Sequence, residues 1–289
     1  MLTVNEYCKN RFGSKVYKIS LSAGCSCPNR DGKIGHGGCI FCSAAGSGDF
    51  AQSGELPIAE QIVAAKKQVS KKYKGNKYIA YFGNFTNTYG DTERLEKIFT
   101  QAISDSEIVA LSIATRPDCL ESDKLEMIAR LNKIKPVWVE LGLQSSNIKT
   151  AEYIRRGYPN EVYEKAVNDL RKIGVHIITH IIIGLPYETE EDMVASVKYA
   201  CRFTDGIKLQ LLHILKNTDL CAEYEKGKFE VLSLEEYIGI LKECIAVIPE
   251  RVVVHRLTGD GPKKLLVAPL WSADKKNVLN EINKVINIS

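Results

Sequence analysis

Val137-Trp-Val-Glu-Leu141 and His176-Ile-Ile-Thr-His-Ile-Ile-Ile183 are two runs rich in β-branched and apolar residues, and a helical pattern at Glu161–Ile173 lies between them. A strand, a helix and a second strand at this spacing predict two parallel strands joined by a crossover helix. The alternation extends in both directions. Towards the N-terminus, Val16–Leu21, Tyr78–Gly83 and Ile108–Ile113 read as strands, with helices at Pro57–Tyr73, Thr92–Ser104 and Asp123–Asn132. Towards the C-terminus come a helix at Glu190–Arg202 and a strand at Ile207–Leu212. Thr189-x-x-Asp192 and Ser233-Leu-Glu-Glu236 are helix-opening signals, the second for a helix ending at Val247. Six such units suit an α/β fold: an open, curved (βα)6 sheet, a partial barrel. Residues 1–14 are expected to form a short lead-in. After Glu250 the alternation fails, and Val252–His255, the Leu257–Trp271 loop and a helix at Asp274–Ile286 are expected to close over the barrel. This gives a core at 1–250, containing a cysteine loop at 24–48, and an extension at 251–289 packed on it as one structural unit.

The chain has 289 residues, 45% of them apolar and 26% charged, the balance of a globular protein. No apolar run approaches the roughly 18 residues of a membrane span. Nine cysteines, an odd number, and no secretory signal at Met1-Leu-Thr-Val4 favour a reducing, cytoplasmic setting over disulfides. The net charge of +4 permits a polyanionic partner without demanding one. Lys67, Lys71 and Lys74 share a helical face, and Lys263-Lys264 and Lys275-Lys276 add basic spots; a solvated lysine face is the commoner explanation.

The densest chemistry is Cys27-Pro-Asn-Arg-Asp-Gly-Lys-Ile-Gly-His-Gly-Gly-Cys39-Ile-Phe-Cys42. Three thiolates are one short of closing a tetrahedral site, whereas a cubane iron–sulfur cluster on three cysteines leaves one iron open to a reactive cofactor. The glycines let the backbone bend round a bulky group, and Phe41 could shield it from water. Zinc is the other reading, with Cys25 or His36 as the fourth ligand. Cys8, Cys119, Cys201, Cys221 and Cys244 are scattered and read as small buried residues, with Cys119 near a strand end.

Cys27-Pro-Asn-Arg-Asp-Gly and Gly-Gly-Cys39-Ile-Phe-Cys42 resemble the cluster loop of the YhcC/YtqA-like radical S-adenosylmethionine (SAM) family, and Ser43-Ala-Ala-Gly-Ser-Gly-Asp-Phe50 resembles its YtqA branch. The resemblance implies a radical-SAM partial barrel, a 4Fe–4S cluster on Cys27, Cys39 and Cys42, and SAM on its open iron. Cys25 falls outside the pattern.

In parallel α/β barrels chemistry gathers at the C-terminal strand ends. Asn84 and Thr86, in Gly83-Asn-Phe-Thr-Asn-Thr-Tyr89, follow the second strand, where the family holds the SAM methionyl amine; an ordinary turn is the plain reading. Glu140-Leu-Gly-Leu-Gln144 and Arg156 resemble a pattern of coproporphyrinogen-oxidase-like and elongator-like enzymes, implying that Gln144 and Arg156 hold SAM, with Glu140 counted among the cofactor-binding residues, and leaving Arg155 on the surface. Arginine suits a carboxylate because its planar fork donates bidentately. Gly184-Leu185 resemble the segment beside the adenine. Tyr89, the Arg116–Asp118 pair, His213, and His255-Arg256 of His255-Arg-Leu-Thr-Gly-Asp260 are candidates for the substrate side; core histidines, a surface ion pair and a plain loop are the alternatives. His180 is read as a core histidine.

The family chemistry implied is reductive cleavage of SAM to a 5′-deoxyadenosyl radical that abstracts a substrate hydrogen, with an electron donor such as flavodoxin or ferredoxin. The YtqA-branch resemblance implies tRNA as partner, and conversion of 5-carboxymethylaminomethyl-uridine at the wobble position to 5-aminomethyl-uridine. The implied route is hydrogen abstraction beside the carboxylate and oxidative C–N cleavage. A radical-SAM enzyme on another RNA, peptide or metabolite, and a non-catalytic metal-binding RNA module, are the alternatives.

Overall fold

The computed structural model describes residues 1–46, 48–259 and 261–286. Ser47 and Asp260, each within a motif quoted above, lie outside the described residues. In chain order the elements are β1 (Leu2–Thr3), α1 (Val4–Phe12), β2 (Tyr17–Leu21), α2 (Ile58–Val69), β3 (Tyr78–Phe82) and α3 (Thr92–Ser104). Next come β4 (Ile108–Thr115), α4 (Ser122–Ile134), β5 (Val137–Gln144), α5 (Ile148–Tyr153), α6 (Asn160–Lys172), β6 (His176–Ile183) and α7 (Glu190–Cys201). The rest are β7 (Gly206–Leu211), β8 (Ile214–Leu215), α8 (Asp219–Glu225), α9 (Leu234–Ala246), β9 (Val253–Arg256), β10 (Leu266–Ala268) and α10 (Lys275–Ile286).

The six expected strands are β2 to β7, and they pair in sequence order with every pairing parallel. Both expected capping boxes form, at Thr189 and at Ser233. Crossover helices bury one face each against the curled sheet: Leu95, Phe99 and Ile103 of α3, Met127 and Leu131 of α4, and Tyr163, Val167 and Leu170 of α6 join one core.

Several expectations about the two ends of the chain change. Val252–His255 does not close over the barrel; Val253 and Val254 form a seventh parallel strand on the edge of β7. The lead-in supplies an eighth, because Leu2 and Thr3 pair with Val253 and Val254. An uncovered β7 edge would present unpaired N–H and C=O groups, and these two short strands satisfy it. The sheet therefore has eight strands in the order β1-β9-β7-β6-β5-β4-β3-β2. Within the expected Leu257–Trp271 loop, β10 pairs antiparallel with β8. α10 packs on α9, with Val278 and Ile282 in the main core, rather than across the strand ends. Among the described residues no helix is long and apolar enough to cross a membrane.

Inward-facing side chains stack in layers, because alternate strand residues share a face. The lowest layer is apolar and aromatic: Ile79, Ala110, Trp138 and Ile178, plugged by Cys8 and Tyr7 of α1. His176 and His255 join it, packed against Trp138 at ring-centroid distances of 5.5 and 5.3 Å. The middle layer is polar, with Lys18, Tyr81, Ser112, Glu140, His180 and Lys208. Above it stand Gly83, Ala114 and Gly142, too small to fill the barrel, and a cavity of about 320 Å³ opens there.

Candidate active site

Cys27, Cys39 and Cys42 all line this cavity. Their loop is built by neighbours whose roles the sequence did not disclose. Asn29 is buried; its Nδ2 donates to the Arg155 carbonyl at 2.6 Å and lies 3.6 Å from Cys39 Sγ. Arg30 Nη2 donates to the carbonyls of Cys42 and Ser43, closing the loop's far end. A Cβ at Gly35 would come within 2.7 Å of Asn29 Oδ1, so glycine is required for this clasp. Ile40, between the paired cysteines, is pinned to the core: its N–H donates to Ile154 and its carbonyl accepts from Leu220.

Burial pushes the Cys39 thiol up to about 12, with the Cys42 and Cys27 sulfurs acting in the same direction. Binding iron must therefore displace a proton firmly held in its absence. Cys25 does not line the cavity. It is buried in the main core, with Arg94 Nη2 3.8 Å from its sulfur. Among the described residues, no three His, Cys, Asp or Glu side chains converge as ligands of a single ion would. A cubane carries each thiolate on a different iron and needs no common focus. The other five cysteines are buried free thiols.

The turn after β3 and the end of β5 face the same cavity. Asn84 Oδ1, Thr86 Oγ1 and Gln144 Oε1 are buried without a hydrogen-bond partner, and all three residues line it. Buried oxygens of this kind are costly unless a donor arrives. An ammonium brings three donors, so the arrangement fits the methionyl amine of SAM. Asn84 is fixed by its Nδ2 donating to Ser22 Oγ at 2.9 Å. Gln144 sits at a positive φ of 62°, uncommon for a residue with a side chain, where the register between β5 and β6 shifts. A Cβ at position 142 would lie 2.3 Å from Gln144 Nε2, so Gly142 makes room for it.

Arg156 also reaches the cavity wall, but its guanidinium is largely engaged. Nε donates to the Tyr158 carbonyl (2.9 Å), Nη1 to the carbonyls of Leu143 (3.0 Å) and Ser145 (2.8 Å), and Nη2 to Asn160 Oδ1 (2.9 Å). One of its five N–H groups remains for a ligand. Arg155 is half exposed and pairs with Asp219 at 2.5 Å.

Glu140 lies deeper, fully enclosed. Its Oε1 accepts from Lys18 Nζ (2.5 Å) and Ser112 Oγ (2.6 Å); its Oε2 contacts His180 Nε2 (2.7 Å) and Lys208 Nζ. Burial alone would raise its carboxyl pKa, but Lys18, Lys208 and the His180 hydrogen bond hold it well below the usual carboxylate range. Its oxygens are thus occupied within the protein.

On the substrate side, Arg116, His213 and Arg256 line the cavity. Arg116 is held bidentately by Asp118, at 2.9 and 2.7 Å, and its guanidinium stacks 4.8 Å from the Tyr158 ring. Five expected site residues do not line it. Asp118 is turned into that pair, and Tyr89 lies under the Lys33 ammonium, 5.3 Å from its ring. Leu185 packs in a core cluster with Ile40 and Ile154, and Gly184, at φ 88°, donates its N–H to Met193 Sδ. His255 sits in the lowest layer because Gly206 has no Cβ to exclude its ring. His180 was read as a core histidine, yet it touches the cavity from the polar layer.

Residues 29–200 match the family model described as Radical SAM superfamily, and residues 204–287 that described as Radical_SAM C-terminal domain. The chain belongs to the radical SAM superfamily. This superfamily works with a 4Fe–4S cluster and SAM, the two groups the cysteine loop and the orphaned oxygens suit. Among curated relatives of this radical SAM chain, YtqA of Bacillus subtilis (strain 168) is 44% identical over 98% of the chain and 88% of YtqA. YhcC of Escherichia coli (strain K12) is 35% identical over 96% of the chain and 89% of YhcC. The tRNA uridine(34) acetyltransferase of Methanocaldococcus jannaschii is 26% identical, over 66% of the chain and 34% of that protein. A solved structure of Methanocaldococcus infernus Elp3 superposes with a TM-score of 0.65 at 19% identity, covering 93% of this chain and 63% of that one, which establishes the shared radical SAM fold.

Proposed function

We propose that this radical SAM enzyme modifies tRNA, removing the carboxymethyl group of 5-carboxymethylaminomethyl-uridine at the wobble position to leave 5-aminomethyl-uridine. The observation that carries the enzymatic reading is that one cavity is lined by both the three cysteines and the three orphaned oxygens of Asn84, Thr86 and Gln144. The substrate is favoured by the branch-level resemblance of the Cys27–Phe50 segment and by a more distant relative named for tRNA uridine(34).

In this reading Cys27, Cys39 and Cys42 hold the cluster. Asn84, Thr86 and Gln144 receive the SAM ammonium, and the last N–H of Arg156 is available to its carboxylate. When bound, the cluster and SAM supply one-electron cleavage of a sulfonium C–S bond and, from it, hydrogen abstraction from a substrate C–H bond. Asn29 and Arg30 hold the loop in shape, Phe41 limits water at the sulfurs, and Arg116 and His213 flank the substrate. A low-potential protein such as flavodoxin or ferredoxin delivers the electron. The chain works as one unit, since β9 of the C-terminal region lies in the same sheet as β2–β7.

The test is to incubate reduced, reconstituted protein with SAM and tRNA carrying the carboxymethylaminomethyl group, then digest and weigh the nucleosides. The expected result is 5-aminomethyl-uridine with 5′-deoxyadenosine alongside. SAM cleavage with this tRNA unchanged would reject the substrate.

A further inference from the structure

The polar layer beneath the cavity holds a charge imbalance that the roles assigned so far do not use. Lys18 and Lys208 come from β2 and β7, at opposite sides of the six-strand barrel, and both reach Glu140. Among the described residues neither ammonium is paired with a second carboxylate, so two cations share one anion. His180, the register partner of Lys208 on β6, adds nothing to the negative side: burial and Lys208 press its imidazole down to about 4, so it is neutral at pH 7. Tyr81, whose ring lies 4.7 Å from Lys208 Nζ, is held protonated by burial. Arg256 faces Lys208 across the β7–β9 pairing.

Lys208 is 5% exposed, and what exposure it has is to the cavity. One of its three N–H groups goes to Glu140, and no described hydrogen bond takes the other two. A buried ammonium that shares its counter-ion is expensive unless another anion arrives.

We infer that Lys208, with Arg256 beside it, is an anion subsite at the floor of the cavity that takes the carboxylate of the substrate. The inference rests on the reading of this cavity as the substrate site, and it names the part of the substrate that is recognised. Depth selects the anion. Lys208 is three residues before the end of β7, about 10 Å below it at the rise of a parallel strand. A carboxylate on a short flexible arm can reach that level. An internal phosphate of a polynucleotide would have to bring its flanking sugars into a cavity of about 320 Å³.

A consequence follows for protons. Burial, Lys18 and Arg256 outweigh Glu140 and push the Lys208 ammonium down to about 7. A bound carboxylate restores the charged form, so binding at pH 8 takes up a proton.

The experiment titrates reconstituted protein with SAM bound and no reductant, by calorimetry at pH 8 in two buffers of different ionisation heat. The probes are 5-carboxymethylaminomethyl-uridine and its methyl ester, which keeps the arm and loses the charge. The acid is expected to bind about tenfold or more tightly than the ester, with proton uptake. Lys208→Met should reduce the acid to the affinity of the ester and leave the ester unchanged. Equal affinities of acid and ester for the parent protein, without proton uptake, would overturn the inference even if the variant fails to fold. Labelled acetate against acetamide, followed by carbon NMR, is independent of the uridine. Acetate binding that Lys208→Met abolishes would uphold the subsite although the nucleoside fails. Absence of acetate binding, together with no preference for the acid, would remove the subsite and leave the tRNA assay to judge the reaction.

Discussion

Lys18 Nζ lies 2.5 Å from Glu140 Oε1, which ties the first strand of the barrel to the fourth across its interior. Glu140 is completely enclosed, and Lys208 and His180 complete its ring of donors. Removing the carboxylate would leave the half-buried Lys18 ammonium and the buried Lys208 amine without their shared counter-ion. Glu140→Gln is therefore expected to cost about 3–5 kcal/mol, the range for breaking a buried ion pair from one side. Urea unfolding of apoprotein reads this directly, and an unchanged midpoint would contradict the structural role given to Glu140.

The cysteine loop gives a second expectation. Cys27→Ala, Cys39→Ala and Cys42→Ala should each lose the cluster, since each removes one of three protein ligands. Cys25→Ala should keep it, because that thiol is buried beside Arg94 away from the cavity. Iron and sulfide contents after anaerobic reconstitution decide the matter. Loss in Cys25→Ala with retention in Cys27→Ala would reverse the assignment.

Gln144 and Arg156 should separate. Gln144→Ala removes an orphaned oxygen, so it should weaken SAM binding by tenfold or so and leave the melting temperature nearly unchanged. Arg156→Lys breaks a guanidinium clamp on the carbonyls of Leu143, Ser145 and Tyr158. It should weaken SAM binding and also lower the melting temperature by several degrees, as loss of buried charged hydrogen bonds does. The measurements are SAM titration by paramagnetic resonance and thermal unfolding. Arg156→Lys with unaltered stability would assign its guanidinium to SAM rather than to the turn.

Stability should fall in mild acid. Burial is the leading cause that lowers the pKa of His176, His180 and His255. In the unfolded chain they titrate near 6.5, so below that pH the unfolded state binds protons that the folded state refuses. The urea midpoint is expected to drop progressively between pH 6.5 and about 4, the pKa of folded His180, and His176→Phe should flatten part of the slope. A level profile across that window would show that these rings ionise freely in the folded protein.

The barrel strands were legible because each is a β-branched run followed by an amphipathic helix, a local signal. β9 and β1 were not placed, because a four-residue and a two-residue strand are located by distant pairing rather than by pattern. The cysteine triad was legible for its spacing and its neighbours. The Lys18–Glu140–Lys208 group was hidden, since its members come from three separated strands and each looks like an ordinary surface charge. A signal existed: Lys18 and Ser20 in β2, and Lys208 and Gln210 in β7, alternate with apolar residues and so share one face of each strand. The clamp of Arg156 on the carbonyls of Leu143, Ser145 and Tyr158 was not legible, because a resemblance reports position whereas those partners are set by the turn around it.

The pairing of Leu2–Thr3 with Val253–Val254 bears on how the chain is made. On the ribosome β1 emerges long before β9, and until β9 exists it has no neighbour in the sheet. The barrel strands can assemble in order behind it, while α1, which plugs the lower end, is tethered to a strand still without a place. Closure of the plug therefore waits for β9, and a pause in translation before β9 emerges would leave the underside of the barrel open to water.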